Sequence, residues 1–298
     1  MGGVPNYRFP SPLRYPGGKG KISNYIKLIF LENDLVGTTY AEPYAGGASV
    51  ALTLLFEEYA EHILINDVDR SIAAFWRTVL KDAHALCDLI MSTDVTMSEW
   101  ENQREVQAGL NSNDLELAFS TFFLNRTNRS GILKGGVIGG RGQSGDLKLD
   151  ARYNKTDLCR RILKIRRFRN RITFTQLDAE LFLADLPDED RFVYLDPPYY
   201  LKGSDLYTSW YTAEDHGRLA RQVERLAEPW IVSYDACPEI ERLYGQVNRI
   251  EYDLSYSASA PRKGSEWIYR SPGLRLPGVL PTHISLDDVE AERERLSS

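Results

Sequence analysis

The sequence has few of the residues on which disulfide-stabilised proteins and metalloenzymes depend. It contains three cysteines, and these lie far apart at Cys87, Cys159 and Cys237. The four histidines are scattered and form no metal-ligand spacing, so we expect no metal site. An odd number of separated cysteines is typical of a reducing compartment, which predicts an intracellular protein.

Long apolar runs are also missing. No stretch approaches the roughly 20 residues that a membrane-spanning helix requires, and the polar N-terminus, rich in proline and glycine, does not resemble a signal peptide. Hydrophobic residues nevertheless make up 43% of the 298 residues. That content is enough for a substantial core, and it predicts either one large domain or one domain with a sizeable insertion.

Positive charge is scarce overall but concentrated in one segment. The chain has a net charge of −6 at pH 7, yet residues 125–171 contain fourteen lysines and arginines and only three aspartates. A basic segment on an acidic protein indicates a face that binds a polyanion. A solvated basic helix without a partner is the alternative that charge alone leaves open.

Apolar periodicity predicts alternating strands and helices up to about residue 81, a pattern typical of a parallel sheet covered by helices. The alternation then stops at a helical stretch, which a glycine-rich irregular segment and a basic helix follow, before strand patterns return. We therefore predict an α/β sheet interrupted by a mostly helical insertion. The predicted units are a sheet domain at 1–81 and 169–272, an insertion at 82–168, and a peripheral or disordered tail at 273–298.

Polar or glycine-rich motifs follow three of the predicted strands. The turn Pro43–Gly47 would let a ligand approach the backbone, and Asp67, 21 residues after Gly46, would suit ribose hydroxyls. Taken singly, the first also fits a structural turn and the second a helix cap. Because the carboxyl ends of parallel strands share one edge of a sheet, we expect the motifs to lie together there.

The third motif, Asp196-Pro197-Pro198-Tyr199, is more specific. Two consecutive prolines cannot donate hydrogen bonds to a strand ladder, so the strand must end and the turn must be rigid. A carboxylate and an aromatic ring are thereby held side by side. An aromatic ring can stack on a nucleobase, while a carboxylate can accept hydrogen bonds from an exocyclic amine.

In order and spacing, these motifs resemble those of the Dam-type adenine-N6-specific DNA methyltransferases (D12 class, alpha group). The similarity extends over about residues 15–270 and includes the segments Arg14–Lys19 and Asn125–Gly131. Tyr15 and Tyr44 stand where the family usually has tryptophan and phenylalanine, and both replacements remain aromatic. The resemblance implies a Rossmann-like S-adenosylmethionine-dependent methyltransferase fold with a target-recognition insertion, and the activity EC 2.1.1.72.

The resemblance also implies which residues form the site. The implied catalytic residues, which would hold the base, are Asp196, Pro197, Pro198 and Tyr199. The implied S-adenosylmethionine-binding residues are Tyr15, Lys19, Pro43, Tyr44, Ala45, Gly46, Gly47, Asp67, Asp178 and Asp196. The implied DNA-binding residues are Asn125, Arg126, Asn128, Arg129, Lys134 and Arg141.

The expected function is methyl transfer to N6 of an adenine flipped out of double-stranded DNA, in restriction–modification, phage defence or epigenetic marking. We expect a monomer or weak dimer in the cytoplasm of a prokaryotic or phage-infected cell, with companion restriction or defence proteins as candidate partners. The alternatives are an RNA adenine or cytosine-N4 methyltransferase and a catalytically silent DNA-binding module. The recognition sequence cannot be read from these motifs.

Overall fold

A seven-stranded sheet forms the centre of the protein, in the order β3-β2-β1-β4-β5-β7-β6. The computed structural model describes residues 10–14, 22–187, 190–201, 211–245, 249–256, 262–281 and 284–297. The strands are β1 (Thr39–Glu42), β2 (His62–Asn66), β3 (Ile172–Thr175), β4 (Arg191–Leu195), β5 (Trp230–Asp235), β6 (Arg249–Tyr256) and β7 (Arg262–Arg270). Strands β1 to β5 pair in parallel, whereas β7 runs antiparallel between β5 and β6.

Helices cover both faces of the sheet. They are α1 (Ser23–Glu32), α2 (Ser49–Phe56), α3 (Arg70–Ser92), α4 (Met97–Ala108), α5 (Asp114–Thr127), α6 (Lys155–Arg167), α7 (Ala179–Ala184), α8 (Ala213–Val223), α9 (Pro238–Tyr244) and α10 (Leu286–Ser297). Successive strand residues enter two separate cores, as Tyr40 and Ala41 of β1 do. This alternation arises because neighbouring side chains of a strand point to opposite faces, and the predicted α/β fold class is confirmed.

The strand order reverses between β1 and β4. From β1 the chain builds outward through β2 to β3, and it then returns to place β4 on the other side of β1. Open α/β sheets bind their ligands beyond the carboxyl ends of the strands at such a switch point. The predicted motifs at Glu42–Gly47 and Asp196–Tyr199 follow these two neighbouring strands.

The insertion leaves the sheet domain through α3. The backbone of α3 breaks at Asp82, where φ is −138° and ψ is 50°, the residue at which the sequence patterns begin the insertion. Helices α5 and α6 pack against α3, and residues 132–154 contain turns with an isolated bridge between Asn128 and Val137. The helices and the irregular stretch thus lie where the patterns put them, while the division into domains stays a prediction.

The tail packs on the sheet domain. Helix α10 contacts α1, Val289 is buried, and the side-chain amide of Asn24 donates to the Ile284 carbonyl at 3.2 Å. The described residues of the tail thus pack against α1, and the assignment of 273–298 as a peripheral or disordered tail stays a prediction. Within the described ranges, no helix combines the length and apolar character needed to cross a membrane.

Asn66, the last residue of β2, ties together the ends of three strands. Its amide nitrogen donates to the carbonyl oxygens of Pro43 and Leu177, both at 3.0 Å. Its oxygen accepts from Thr175 Oγ1 and the Leu177 amide, both at 2.8 Å. Only 1% of Asn66 is exposed, so water cannot replace these four bonds, and the loops after β1 and β3 depend on them.

Replacing this side chain should be costly. We expect Asn66→Ala to lower the free energy of unfolding by about 2–4 kcal/mol, because it leaves several buried polar groups without a partner. The matched control is Asn102→Ala, which removes an exposed amide bonded to Glu99 and should change stability by no more than about 0.5 kcal/mol. Urea denaturation measures both, and equal effects would contradict the role of Asn66.

Candidate active site

The glycine-rich turn after β1 exposes backbone rather than side chains. Gly46 and Ala48 both have left-handed φ angles, 45° and 46°, and for an alanine this conformation costs roughly 1 kcal/mol or more. The turn is held by Trp76 Nε1, which donates to the Gly46 carbonyl at 2.9 Å. A Cβ on Gly47 would lie 3.0 Å from Ser11 Oγ, so a larger residue would disturb this packing.

Helix α2 begins directly after this turn. The N-cap residue before it, Ala48, provides no side-chain cap, while the Ala51 amide in the first turn bonds to the Glu42 carboxyl. First-turn N–H groups and the helix dipole favour an anionic group such as a carboxylate.

The charges of two carboxyl groups, Asp67 and Asp196, both act on Glu42 beside the turn. Asp67 accepts hydrogen bonds from the Gly46 amide at 2.8 Å and from the Asp69 amide at 3.0 Å. Burial raises the pKa of Asp67 to about 7 against the opposing effect of these two bonds. Burial also raises the pKa of Glu42 well above its usual range, and the charge of Asp196 adds to the rise, although the Tyr40 hydroxyl donates to Glu42 at 3.1 Å.

The turn after β4 is fixed through its side chains. Ser233 Oγ, on the neighbouring strand β5, donates to Asp196 Oδ1 at 2.9 Å, and it lies 3.1 Å from the hydroxyl of Tyr194. Pro197, Pro198 and Tyr199 are buried, whereas Asp196 is half-buried. The carboxylate therefore reaches the edge of the site with one oxygen oriented by a buried serine.

The acid at the end of β5 holds the continuation of this turn. Asp235 Oδ1 accepts from the Tyr200 amide at 2.9 Å, and its Oδ2 accepts from the Leu201 amide at 3.1 Å. The hydroxyl of Tyr199 donates to Glu266 Oε1 at 2.5 Å. Three successive residues after the prolines are thus hydrogen-bonded to acids of β5 and β7.

The structure brings together most of the predicted cofactor residues, but not all. The turn Pro43–Gly47, Asp67 and Asp196 lie at the carboxyl edge of β1, β2 and β4. Tyr44 is half-buried, and its hydroxyl lies 3.0 Å from that of Tyr211. Asp178 is exposed and caps α7 by accepting from the Glu180 amide at 2.9 Å. The remaining two, Tyr15 and Lys19, lie outside the described residues.

Sequence reasoning missed several residues that shape this edge, namely Trp76, Ser233, Asp235 and Glu266. Asp235 had a usable signal, because it follows an apolar strand just as Asp67 and Asp196 do. Ser233 lies within the largely apolar strand β5, whereas Glu266 lies among other polar residues of β7. Neither pattern reveals the partners of these side chains.

Two of the predicted DNA-binding residues have a different role. Asn125 donates to the carbonyl oxygens of Arg14 and Gly131 at 2.7 and 2.9 Å, and its own oxygen accepts from the Arg14 amide at 2.7 Å. Asn128 accepts from Trp100 Nε1 at 2.7 Å and donates to carbonyls of the following loop. Both are buried, so the expectation of base contacts is corrected: these amides hold the insertion together.

Gly131 completes the contact with Arg14. Its φ is +78°, and a Cβ at this position would lie 2.5 Å from the Arg14 carbonyl oxygen. Arg161, on α6, also donates to the Ser11 carbonyl at 3.2 Å. The insertion therefore contacts residues 10–14 through hydrogen bonds to their backbone and through close packing.

The predicted basic residues lie at different depths. Arg126 is largely covered and donates to the Arg152 carbonyl at 2.7 Å. Burial lowers its pKa to about 9, and the nearby positive charges of Arg14, Arg161 and Arg152 act in the same direction. The other three are exposed, namely Arg129, Lys134 and Arg141. A cluster of like charge on this side is costly to an isolated protein and suits a polyanion.

A cleft of about 300 Å³ lies between the start of α3 and the insertion. The positively charged side chains that line it are Arg70, Arg104 and Lys134. Among the described residues, no group of histidine, cysteine, aspartate and glutamate side chains has the arrangement of a metal site.

Comparisons with known proteins give one family match and distant similarities to solved structures. PH1948 from Pyrococcus horikoshii, a protein named as a candidate RNA methyltransferase, is 10% identical, with 87% of each chain covered and a TM-score of 0.42. The catalytic domain of human Mettl16, solved with a MAT2A 3'UTR hairpin, is 8% identical, with 89% of this chain and 75% of that chain covered and a TM-score of 0.42. No curated protein sequence matches.

The family model described as D12 class N6 adenine-specific DNA methyltransferase matches residues 15–258. That match includes the strands β1 to β5, the insertion and all three strand-end motifs. The chain therefore belongs to the D12 class of N6 adenine-specific DNA methyltransferases, enzymes that transfer a methyl group from S-adenosylmethionine to adenine in DNA.

Proposed function

We propose that this enzyme acts on an adenine flipped out of double-stranded DNA, and that Asp196 and Tyr199 hold the flipped base. The observation that carries the proposal is the turn after β4, which follows the strand next to β1 and whose Asp196 acts electrostatically on Glu42 at the end of β1. A base inside a duplex cannot reach an enclosed site, so it must leave the stack, at a cost of a few kcal/mol.

The residues of this turn have separate tasks in the proposal. The ring of Tyr199 stacks on the adenine, and Asp196 accepts a hydrogen bond from the N6 amine. The carbonyl oxygen of Pro197 accepts the second N6 hydrogen. These two bonds turn the nitrogen lone pair out of the ring plane and toward the methyl donor, so positioning carries most of the catalysis. Ser233 keeps Asp196 oriented for this task.

The chemistry of the first turn suits S-adenosylmethionine, which supplies an electrophilic methyl group on a positively charged sulfur. The carboxyl groups of Glu42, Asp67 and Asp196 favour a ligand that carries positive charge, and the N-terminus of α2 favours its carboxylate. Each oxygen of Asp67 accepts one backbone bond, and a carboxylate oxygen can accept two. We therefore assign Asp67 to the ribose hydroxyls.

Other assignments to the cofactor rest on the family resemblance. Asp178 is exposed beyond the end of β3, a position suited to the adenine ring of the cofactor. Tyr15 and Lys19 are proposed to complete the site from the N-terminal segment. Tyr44 is proposed to pack beneath it, because Tyr211 contacts both its ring and its hydroxyl.

The insertion is proposed to bind the duplex through its exposed cations, Arg129, Lys134 and Arg141, with Arg126 beneath them. Lysine and arginine contacts to phosphates give affinity and register, while arginine is also able to read guanine. We propose roles in restriction–modification, phage defence or epigenetic marking, with companion proteins of such systems as partners. A cytoplasmic monomer or weak dimer is proposed as the active form.

The Asp196→Ala variant tests the assignment of the base-holding turn. We expect kcat for methyl transfer to duplex DNA to fall at least about 100-fold, because the amine loses its main acceptor. Asp185→Ala, at an exposed position, is the matched control and should keep full activity. The measurement is transfer of radiolabelled methyl groups, with thermal unfolding to confirm that both variants fold.

The same assay on duplex DNA, single strands and RNA, with the methylated nucleoside identified, distinguishes the alternatives. N6-methyladenine formed preferentially in duplex DNA is the expected product. Modification of RNA, or cytosine-N4 methylation, would replace the proposal. Full activity of Asp196→Ala would refute the role given to the turn.

The surface of the insertion gives a second prediction. We expect Lys134→Ala and Arg141→Ala each to weaken DNA binding and to reduce the slope of log Kd against log salt concentration by about 1, since each removes one phosphate contact. Arg242→Ala, at an exposed arginine of α9 paired with Glu239, is the control. Fluorescence anisotropy with a labelled duplex measures the slopes, and unchanged slopes would remove these residues from the interface.

The raised pKa of Asp67 predicts pH-dependent cofactor binding. Hydroxyl donors and positive charge favour ionised Asp67, so binding should release a proton below pH 7 and tighten as pH rises. With a pKa of about 7, the Kd should fall about tenfold between pH 6 and pH 8. Calorimetry with sinefungin, a stable analogue with an amine in place of the sulfonium, measures this change. Asp67→Asn should weaken the binding of sinefungin and remove its dependence on pH. A wild-type Kd that does not change with pH would contradict the assignment.

A further inference from the structure

We propose that Glu266 and Tyr252, on the edge hairpin formed by β6 and β7, are positioning residues that fix the ring of Tyr199 for the flipped adenine. Tyr199, Glu266 and Tyr252 together are called the tyrosine clamp below. The inference rests on the proposed role of Tyr199 as the stacking residue, and it extends the site to strands beyond the parallel part of the sheet.

The clamp is a buried carboxylate with a phenol on each oxygen. The hydroxyl of Tyr199 donates to Glu266 Oε1 at 2.5 Å, and the hydroxyl of Tyr252 donates to Oε2 at 2.6 Å. Glu266 is 0% exposed, and the two tyrosines are 5% and 3% exposed. A carboxylate is costly to bury unless donors compensate it, so the two phenols and Glu266 depend on one another.

Strand register places a second acid next to the clamp. Asp235 of β5 pairs directly with Glu266 of β7, and Tyr252 of β6 pairs with Glu266 from the other side. Directly opposed residues share a face of the sheet, where two like charges destabilise the pairing. Sheet stability therefore does not explain this pair of acids.

The turn that bears Tyr199 does explain it. Asp235 accepts from the amides of Tyr200 and Leu201, while Glu266 accepts from the phenol of Tyr199. One acid thus anchors the backbone that follows the catalytic tyrosine, and the other anchors the far end of its ring. Both acids therefore fix the same short segment, residues 199–201.

A fixed ring is a better stacking surface than a mobile one. If Tyr199 were free to change rotamer, its side-chain entropy would be lost on each encounter with a base, and the amine would be less well aligned with the methyl donor. Because the phenolic oxygen lies on the long axis of the ring, a bond there restricts its swing about the Cα–Cβ bond. The clamp therefore supports alignment of the base and not the binding of the cofactor.

Two conservative variants act on the same bond from opposite ends. Glu266→Gln keeps the side-chain size but removes the negative charge, so the bond to Tyr199 loses its charge assistance whichever way the amide is oriented. Tyr199→Phe removes the phenolic oxygen and keeps the ring. We expect each to lower kcat for methyl transfer about tenfold, with the Kd for sinefungin unchanged within about twofold. The double variant should be no slower than the slower single variant, since the bond can be lost only once.

A readout besides activity reports on the ring itself. Methylation mapping of genomic DNA from a non-methylating host that expresses the enzyme first gives its target site. In a duplex that carries this site, 2-aminopurine replaces the target adenine, and its fluorescence is quenched when it stacks on an aromatic ring. In the complex with enzyme and sinefungin, Glu266→Gln and Tyr199→Phe should both give brighter fluorescence than the wild type. Glu251→Gln is the matched control on the same hairpin, where an exposed carboxylate accepts from Ser265 Oγ at 2.6 Å, and it should behave as wild type.

Tyr252→Phe tests the clamp from its other side and leaves both Glu266 and Tyr199 intact. We expect a smaller fall in kcat and a smaller rise in fluorescence than in the other two variants, because Tyr252 acts on Tyr199 only through Glu266. Additive losses in the double variant, wild-type kcat in both single variants, or losses that follow sinefungin affinity and thermal stability would each overturn the clamp. Failure of the proposed function is distinguishable, because the wild-type enzyme would then form no N6-methyladenine in duplex DNA.

Discussion

The need to compensate buried acids at one edge of the sheet is the constraint on which this structure depends. Glu42, Asp67, Asp196, Asp235 and Glu266 all lie where the strands end or where β7 pairs with them. Burying several like charges together is unfavourable unless donors or retained protons offset the cost. Backbone amides, a serine and tyrosine hydroxyls provide those donors, and each of them also fixes part of a turn.

Asn66 pairs buried polar groups in the same way beneath the site. Its four buried hydrogen bonds join the ends of β1, β2 and β3. The strand ends that precede the glycine-rich turn and Asp67 are therefore held in place. The proposed cofactor side of the site is thus built on parallel strands and an amide. The proposed base side relies on carboxylates of β5 and β7, and the two halves meet where β1 lies beside β4.

The strand-end positions of Pro43–Gly47, Asp67 and Asp196 could be read from the sequence, because an apolar strand followed by a polar or glycine-rich motif is a local signal. Their roles in the site stay predictions. Glu266 could not be found in this way, since its partner Tyr199 is 67 residues away and the contact depends on the register of β5, β7 and β6. Asn125 and Asn128 were misassigned because an asparagine suits a base edge or a backbone equally well, and only burial distinguishes the two.

The grip of the insertion on residues 10–14 has a consequence for how such enzymes diversify. Asn125 brackets the backbone of Arg14 with two bonds of 2.7 Å, and Gly131 has no room for a side chain against it. The segment that leads into the Arg14–Lys19 motif and the insertion proposed to face DNA therefore share one interface. An insertion transferred into this chain from a relative would have to preserve that interface or be transferred together with its own N-terminal segment.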